Sequence, residues 1–249
     1  GGLLTWGGVM IVSFPFSVAS AVEAGRHGAK GPVRYSVAMG LLAQVLGVCV
    51  VMPAIWIPSF VFGGSLDGPF HPQRPMAGVY TSIPATLLAI GIFVLDPTTA
   101  AWRNCAGILG GPLLALLPLV YYLSPTPTST MEMAKNQSAA RESYKRAFLY
   151  MAILSLVGWV TLVYVAYTVH GVDAEAVANG LWFQAHPAVK FMTIDTTGFF
   201  IATLIYAYLQ SVSLLLKTLL LTPVVGPGAA LCLAMMEAEA PYQVPKEKQ

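Results

Sequence analysis

Hydrophobic positions in this chain run in long, nearly continuous blocks. They show neither the alternation of a half-buried strand nor the one-sided stripe of a helix lying at a water surface. A helix needs about 20 largely apolar residues to cross a bilayer. The blocks Leu3–Val22, Val37–Ile57, Val79–Leu95, Cys105–Leu123, Ala147–Val169, Thr196–Leu216 and Thr218–Met236 meet or approach that length. The pattern predicts an all-α, polytopic integral membrane bundle of about seven transmembrane helices, forming one domain over residues 1–249. The third and last blocks are short or contain prolines. The first lacks the charged flank and cleavage site of a secretory signal and reads as a retained span.

Prolines fall inside several blocks, at Pro15, Pro53, Pro84, Pro112, Pro118 and Pro223. In lipid such kinks persist only where neighbouring helices or side chains bond the freed carbonyls. That predicts a packed bundle and not a set of isolated anchors. The polar connections leave orientation open. The most basic ones, Glu23–Arg34 and Ser124–Arg146, are separated by three predicted spans, yet a positive-inside bias would put both in the cytoplasm. Asn136-Gln137-Ser138 is a glycosylation sequon, which favours a lumenal Ser124–Arg146.

Composition agrees with lipid as the solvent. Of 249 residues, 56% are hydrophobic and 10% charged, and the mean hydropathy is +0.69. A soluble domain carries roughly 25% charged residues to solvate its surface. The net charge of +2 includes no basic run suited to nucleic acid. Cys49, Cys105 and Cys232 are scattered in apolar segments without metal or disulfide spacing, and the four histidines (His27, His71, His170, His186) are not paired. No phosphate-binding glycine loop, zinc-protease, esterase or kinase signature occurs, and no aspartate cluster could hold Mg²⁺ and diphosphate. We expect neither metal nor cofactor.

Ionisable residues within or beside spans are the first candidates for chemistry, because burying them is costly. Four acids qualify: Glu23, Asp96, Asp195 and Glu237. Asp195 shares a helical face with Phe199, Ala202 and Tyr206. An acid withdrawn from water there is a candidate general acid. The alternative is an N-cap or first-turn acid complementing its own helix dipole. Glu23 continues the face Val12–Phe16–Ala19 and either points into the bundle or pairs with Arg26 at i+3. Asp96, before Pro97, reads as a turn former, and Glu237 as solvated. Tryptophans near span ends, Trp56 among them, read as interfacial anchors. Trp159, Tyr164, Tyr206 and Tyr208 fall deeper, where ring faces can stabilise a cation. Gln44 and Gln210 read as interhelical hydrogen-bonding groups.

The stretch Thr81-Ser82-Ile83-Pro84-Ala85-Thr86-Leu87-Leu88, followed by Gly91 and Leu95-Asp96-Pro97, resembles the "LPA…GY…P" helix of fungal membrane-bound terpene cyclases, closest to those of the ascofuranone and macrophorin pathways. Tyr144–Ala147 and Phe191-Met192-Thr193-Ile194-Asp195 also resemble that family, the latter its "FLQ-x-D" segment, and Pro15-Phe16 with Glu23 resembles the end of its first helix. The chain departs from the pattern with Ile83-Pro84-Ala85 where leucine is common, and with Met192-Thr193 where Leu-Gln is usual.

The resemblance implies a multi-pass protein of the endoplasmic reticulum that cyclises a farnesyl chain on an aromatic core by protonating an epoxide or terminal olefin, without metal. It implies Asp195 as the acid, polarised by Glu23 or a neighbour. The candidate substrate-binding residues are Phe199, Tyr206, Trp159, Tyr164 and Trp182. The expected partners are membrane lipids and a lipid-soluble prenylated substrate, with no nucleic acid. A sterol or lipid isomerase of the membrane is the alternative, as is a small transporter, although no convincing internal repeat is present.

Overall fold

A backbone taken out of water must bond to itself, and in one continuous segment only a helix does so completely. The computed structural model describes residues 2–63, 68–80, 82–83, 136–171 and 173–238. Among these there are only helices and their connections, with no strand. Three helices are long and apolar enough to cross a membrane: Gly7–Gly25, Gln137–Val169 and Pro187–Gln210. Seven were expected, and that count is not established. Most of block Val79–Leu95 and all of Cys105–Leu123 lie outside the described residues, together with Pro84, Asp96, Trp102, Pro112 and Pro118. Three other expected spans, Val37–Ile57, Thr196–Leu216 and Thr218–Met236, are broken.

Helix α1 (Gly2–Gly25) is the central post, with 67% of its spanning window buried. It packs against α5 (Gln137–His170), α7 (Pro187–Gln210) and α9 (Pro227–Met235). The spanning windows of α5 and α7 are only 22% buried, so these helices turn broad apolar faces outward. Val157, Val160, Tyr164 and Tyr167 of α5 are among the exposed side chains. With 34 residues, α5 is about 51 Å long, against about 30 Å of hydrocarbon. Seven of its first ten residues are polar or charged, and its apolar run starts at Ala147.

The expected repair of proline kinks is visible in α1. Pro15 has no N–H, so the carbonyl of Ile11 lacks its usual donor four residues on. The Ser155 hydroxyl of α5 donates to that oxygen at 3.3 Å. Gly228 of α9 completes the approach, because a Cβ there would lie 2.2 Å from the same oxygen. Gly228→Ala is therefore expected to lower the melting temperature in detergent, at a cost of about 1–3 kcal/mol for overpacking. Gly40→Ala is the control: nothing lies within 4 Å of a Cβ there, and alanine is the better helix former by roughly 0.5–1 kcal/mol. Equal melting temperatures for the two variants would contradict the packing.

The block Val37–Ile57 was expected as one span and is instead four short pieces. Helix α2 (Ser36–Leu46) stops at Gly47, whose φ of +87° suits glycine. The chain resumes as α3 (Val48–Val51), a π-helical turn (Met52–Trp56) and α4 (Ile57–Gly63). Pro53 removes a donor from the ladder, and the wider turn accommodates the loss. After α5, the side chain of Asp173 caps α6 (Ala174–Ala178). His186 caps α7, which has Pro187 in its first turn. Ser211 ends α7 and caps α8 (Val212–Val225), and Gly226 with φ of +82° separates α8 from α9. The block Thr218–Met236 is broken at that glycine.

Candidate functional site

Asp195 lies more than two turns into α7, beyond the caps His186 and Pro187, so it does not cap its own helix. It caps another. Its Oδ1 accepts a hydrogen bond of 2.8 Å from the backbone N–H of Cys49, in the first turn of α3. Gly47, at the N-cap of α3, has no side chain to fill that role. A Cβ on Gly47 would stand 3.2 Å from Oδ1, so the glycine also makes room for the carboxyl. Asp195 is 7% exposed, and its carboxyl also bonds to the Cys49 thiol.

Glu23 satisfies both readings considered for it. Its Oε2 accepts from Arg26 Nε at 3.0 Å, and its Oε1 accepts from the Tyr206 hydroxyl at 3.1 Å. The residue is wholly buried and points into the bundle. Arg26 is fixed in turn by donating from Nη1 to the Gly68 carbonyl at 3.0 Å and by lying 5.1 Å over the Phe70 ring. Two donors on one carboxyl, one of them a guanidinium, are the setting of a charge-assisted acceptor.

The two acids do not adjoin. Tyr206, which holds Glu23, is eleven residues beyond Asp195 on α7, about 16 Å along the helix axis. Polarisation of Asp195 by Glu23 is therefore corrected: the neighbours of Asp195 are the backbone and thiol of Cys49. Aromatic rings fill the interval. Phe16 of α1 meets Phe199 at 5.5 Å and Trp56 at 4.7 Å, both edge-on. Trp56 stacks on Phe60 at 5.3 Å, and both rings meet Tyr206 edge-on. Such pairs add about 0.5–1.5 kcal/mol each beyond area burial.

Of the candidate substrate-binding residues, Phe199 and Tyr206 belong to this cluster. Trp159, Tyr164 and Trp182 do not. Tyr164 and Trp182 are exposed, and Trp159 packs over Gly226. The depth of a residue in its block says nothing about which face it occupies. Trp56 corrects the reading in the other direction. Expected as an interfacial anchor, it is fully buried because the π turn brings it inward, and its indole N–H has no partner among the described residues. The sequence signal was Pro53 followed by Trp56 and Phe60 at i, i+4. The buried Nε2 of Gln210 makes no hydrogen bond among the described residues. Glu237 is exposed and pairs with Lys217.

Among the described residues no group of three or more His, Cys, Asp or Glu could hold a metal. Comparison with protein-family models, curated proteins and solved structures returns no match to this chain.

Proposed function

We propose that this chain is a metal-independent terpene cyclase that protonates an epoxide or terminal olefin of a farnesylated substrate and guides the carbocation to ring closure inside the membrane. One observation carries the reading: a single face of α7 presents a buried acid and a buried tyrosine–carboxylate pair with aromatic rings between them. Proton-initiated cyclisation needs a proton donor, a dry aromatic surface for the cation and a final proton acceptor.

Asp195 is suited to the first role. The Cys49 N–H occupies Oδ1, and Oδ2 carries and delivers the proton. Protonating the epoxide oxygen breaks its bond to the more substituted carbon; protonating the olefin places the charge on the adjacent carbon. The π electrons of the next double bond then form the ring bond, and the charge moves along the chain over Phe199, Phe16 and Trp56. Loss of a proton from the last cation restores a double bond, and Glu23, held by Arg26 and Tyr206, is the acceptor. One proton enters and one leaves, so the product is an isomer of the substrate. A prenylated substrate dissolves in the bilayer and approaches laterally. The multi-pass endoplasmic reticulum setting belongs to the same proposal.

Membranes from cells expressing the full chain are supplied with a farnesylated aryl compound and, separately, its terminal epoxide. The expected result is a cyclic product of unchanged mass, formed equally with and without a chelator. Recovery of both compounds as linear material from membranes containing folded protein would refute the cyclase reading.

A further inference from the structure

On the outer side of α5, a groove of about 960 Å³ runs between that helix and a wall formed by Met76, Val79, Tyr80 and Ile83. Its chemistry changes along its length. At one end stand Glu142, Ser143 and Arg146, in the polar first turns of α5. Beyond them the walls are apolar, with Val79 and Ile83 on one side and Tyr150, Leu154 and Val157 on the other. From Arg146 to Val157 is eleven residues, about 16 Å of helix, which matches the hydrocarbon depth of one leaflet at about 15 Å. The change from polar to apolar wall coincides with the point where α5 itself becomes apolar, at Ala147.

Two features of the polar end point to a ligand oxygen. The Ser143 hydroxyl is covered yet has no hydrogen-bond partner among the described residues. Other hydroxyls in the helices bond to the carbonyl four residues back, as Ser59, Thr161, Thr203 and Thr218 do. A covered polar group without a partner calls for an explanation, and a bound ligand is one. Arg146 stands 3.6 Å from Glu142, beyond hydrogen-bond range, so that pair does not consume its guanidinium donors. Of the charged residues in the first turns of α5, Arg146 and Glu142 line this end of the groove.

We infer that this groove binds one membrane phospholipid, with its phosphate at Arg146 and Ser143 and one acyl chain along Tyr150, Leu154 and Val157. A guanidinium suits phosphate because it offers several donors in a fixed plane. Basic pockets between membrane helices on the headgroup side hold such lipids. The lipid is the occupant because polar end, apolar length and leaflet depth all match one amphipathic molecule. This inference does not depend on the cyclase reading.

The test uses the purified full chain in detergent, stripped of lipid, and phosphatidylglycerol against diacylglycerol with the same acyl chains. Native mass spectrometry is expected to retain one phosphatidylglycerol per chain, and the melting temperature is expected to rise with phosphatidylglycerol only. Combining Arg146→Gln with Ser143→Ala is expected to weaken phosphatidylglycerol binding about tenfold, as loss of a charge-assisted contact does. Val157→Trp, at an exposed position on the apolar wall, is expected to displace the acyl chain without disturbing the core. Equal retention of the two lipids, or full phosphatidylglycerol affinity in the polar double variant, overturns the inference.

Discussion

Asp195→Asn is expected to lower the cyclisation rate by about 10²–10⁴-fold, the usual contribution of a positioned general acid, while leaving the melting temperature nearly unchanged. The separation of the two effects follows from the geometry. Asparagine retains an Oδ1 that accepts the Cys49 N–H at the start of α3, so the cap across the bundle survives. It lacks a carboxylic proton to deliver. Asp195→Ala removes cap and proton together and is expected to cost about 0.5–2 kcal/mol of stability in addition, as lost caps do. Turnover of the farnesylated epoxide in membranes, paired with thermal unfolding in detergent, distinguishes the two roles. An Asp195→Asn protein that turns over at the wild-type rate reduces Asp195 to a structural cap and removes the acid from the proposed mechanism.

The largest stability effect is expected at Glu23. Both members of the Glu23–Arg26 pair are almost fully buried, with side chains 1% and 3% exposed. Glu23→Gln keeps the size of the side chain but removes the charge bonded to the Arg26 guanidinium and weakens the bond from Tyr206. Breaking one partner of a buried pair typically costs about 3–5 kcal/mol. Replacing both partners with apolar residues of similar volume is often neutral, so Glu23→Leu with Arg26→Leu is expected to recover much of that loss. The recovered protein is expected to be inactive, because the proton acceptor has gone. Thermal unfolding of the single and double variants measures the first claim, and product formation by the double variant measures the second. A Glu23→Gln protein as stable as wild type would show that neither the pair with Arg26 nor the Tyr206 bond that joins α7 to α1 contributes to stability.

Several features followed from local sequence alone. Hydrophobic blocks with 10% charge among 249 residues suit helices in an apolar solvent, where the unbonded backbone of other structures has no partner, and three helices are long and apolar enough to cross a membrane. The face joining Asp195, Phe199, Ala202 and Tyr206 is a property of helical geometry, and all four residues are buried. The expectation that a neighbouring side chain would bond a carbonyl freed by proline is met by Ser155 and Ile11. Helix breaks were less legible. Hydropathy averages over a window, so a glycine with positive φ at Gly47 or Gly226 disappears into an apolar block. The exposed position of Tyr164 was equally hidden, because apolar residues occupy every face of a long apolar helix.

By itself, then, the sequence determined the helical class, the presence of helices apolar enough to cross a membrane, and which residues share a side of each helix. All of these depend on composition and on periods of a few residues. Tertiary structure alone decided which groups meet. Asp195 finds Cys49 across 146 positions of chain, Tyr206 finds Glu23 across 183, and Trp56 turns inward on a π turn to meet rings from three helices. Those pairings depend on where α1, α3 and α7 touch, and that is set by close packing at Gly8, Gly47 and Gly198. No local pattern records it.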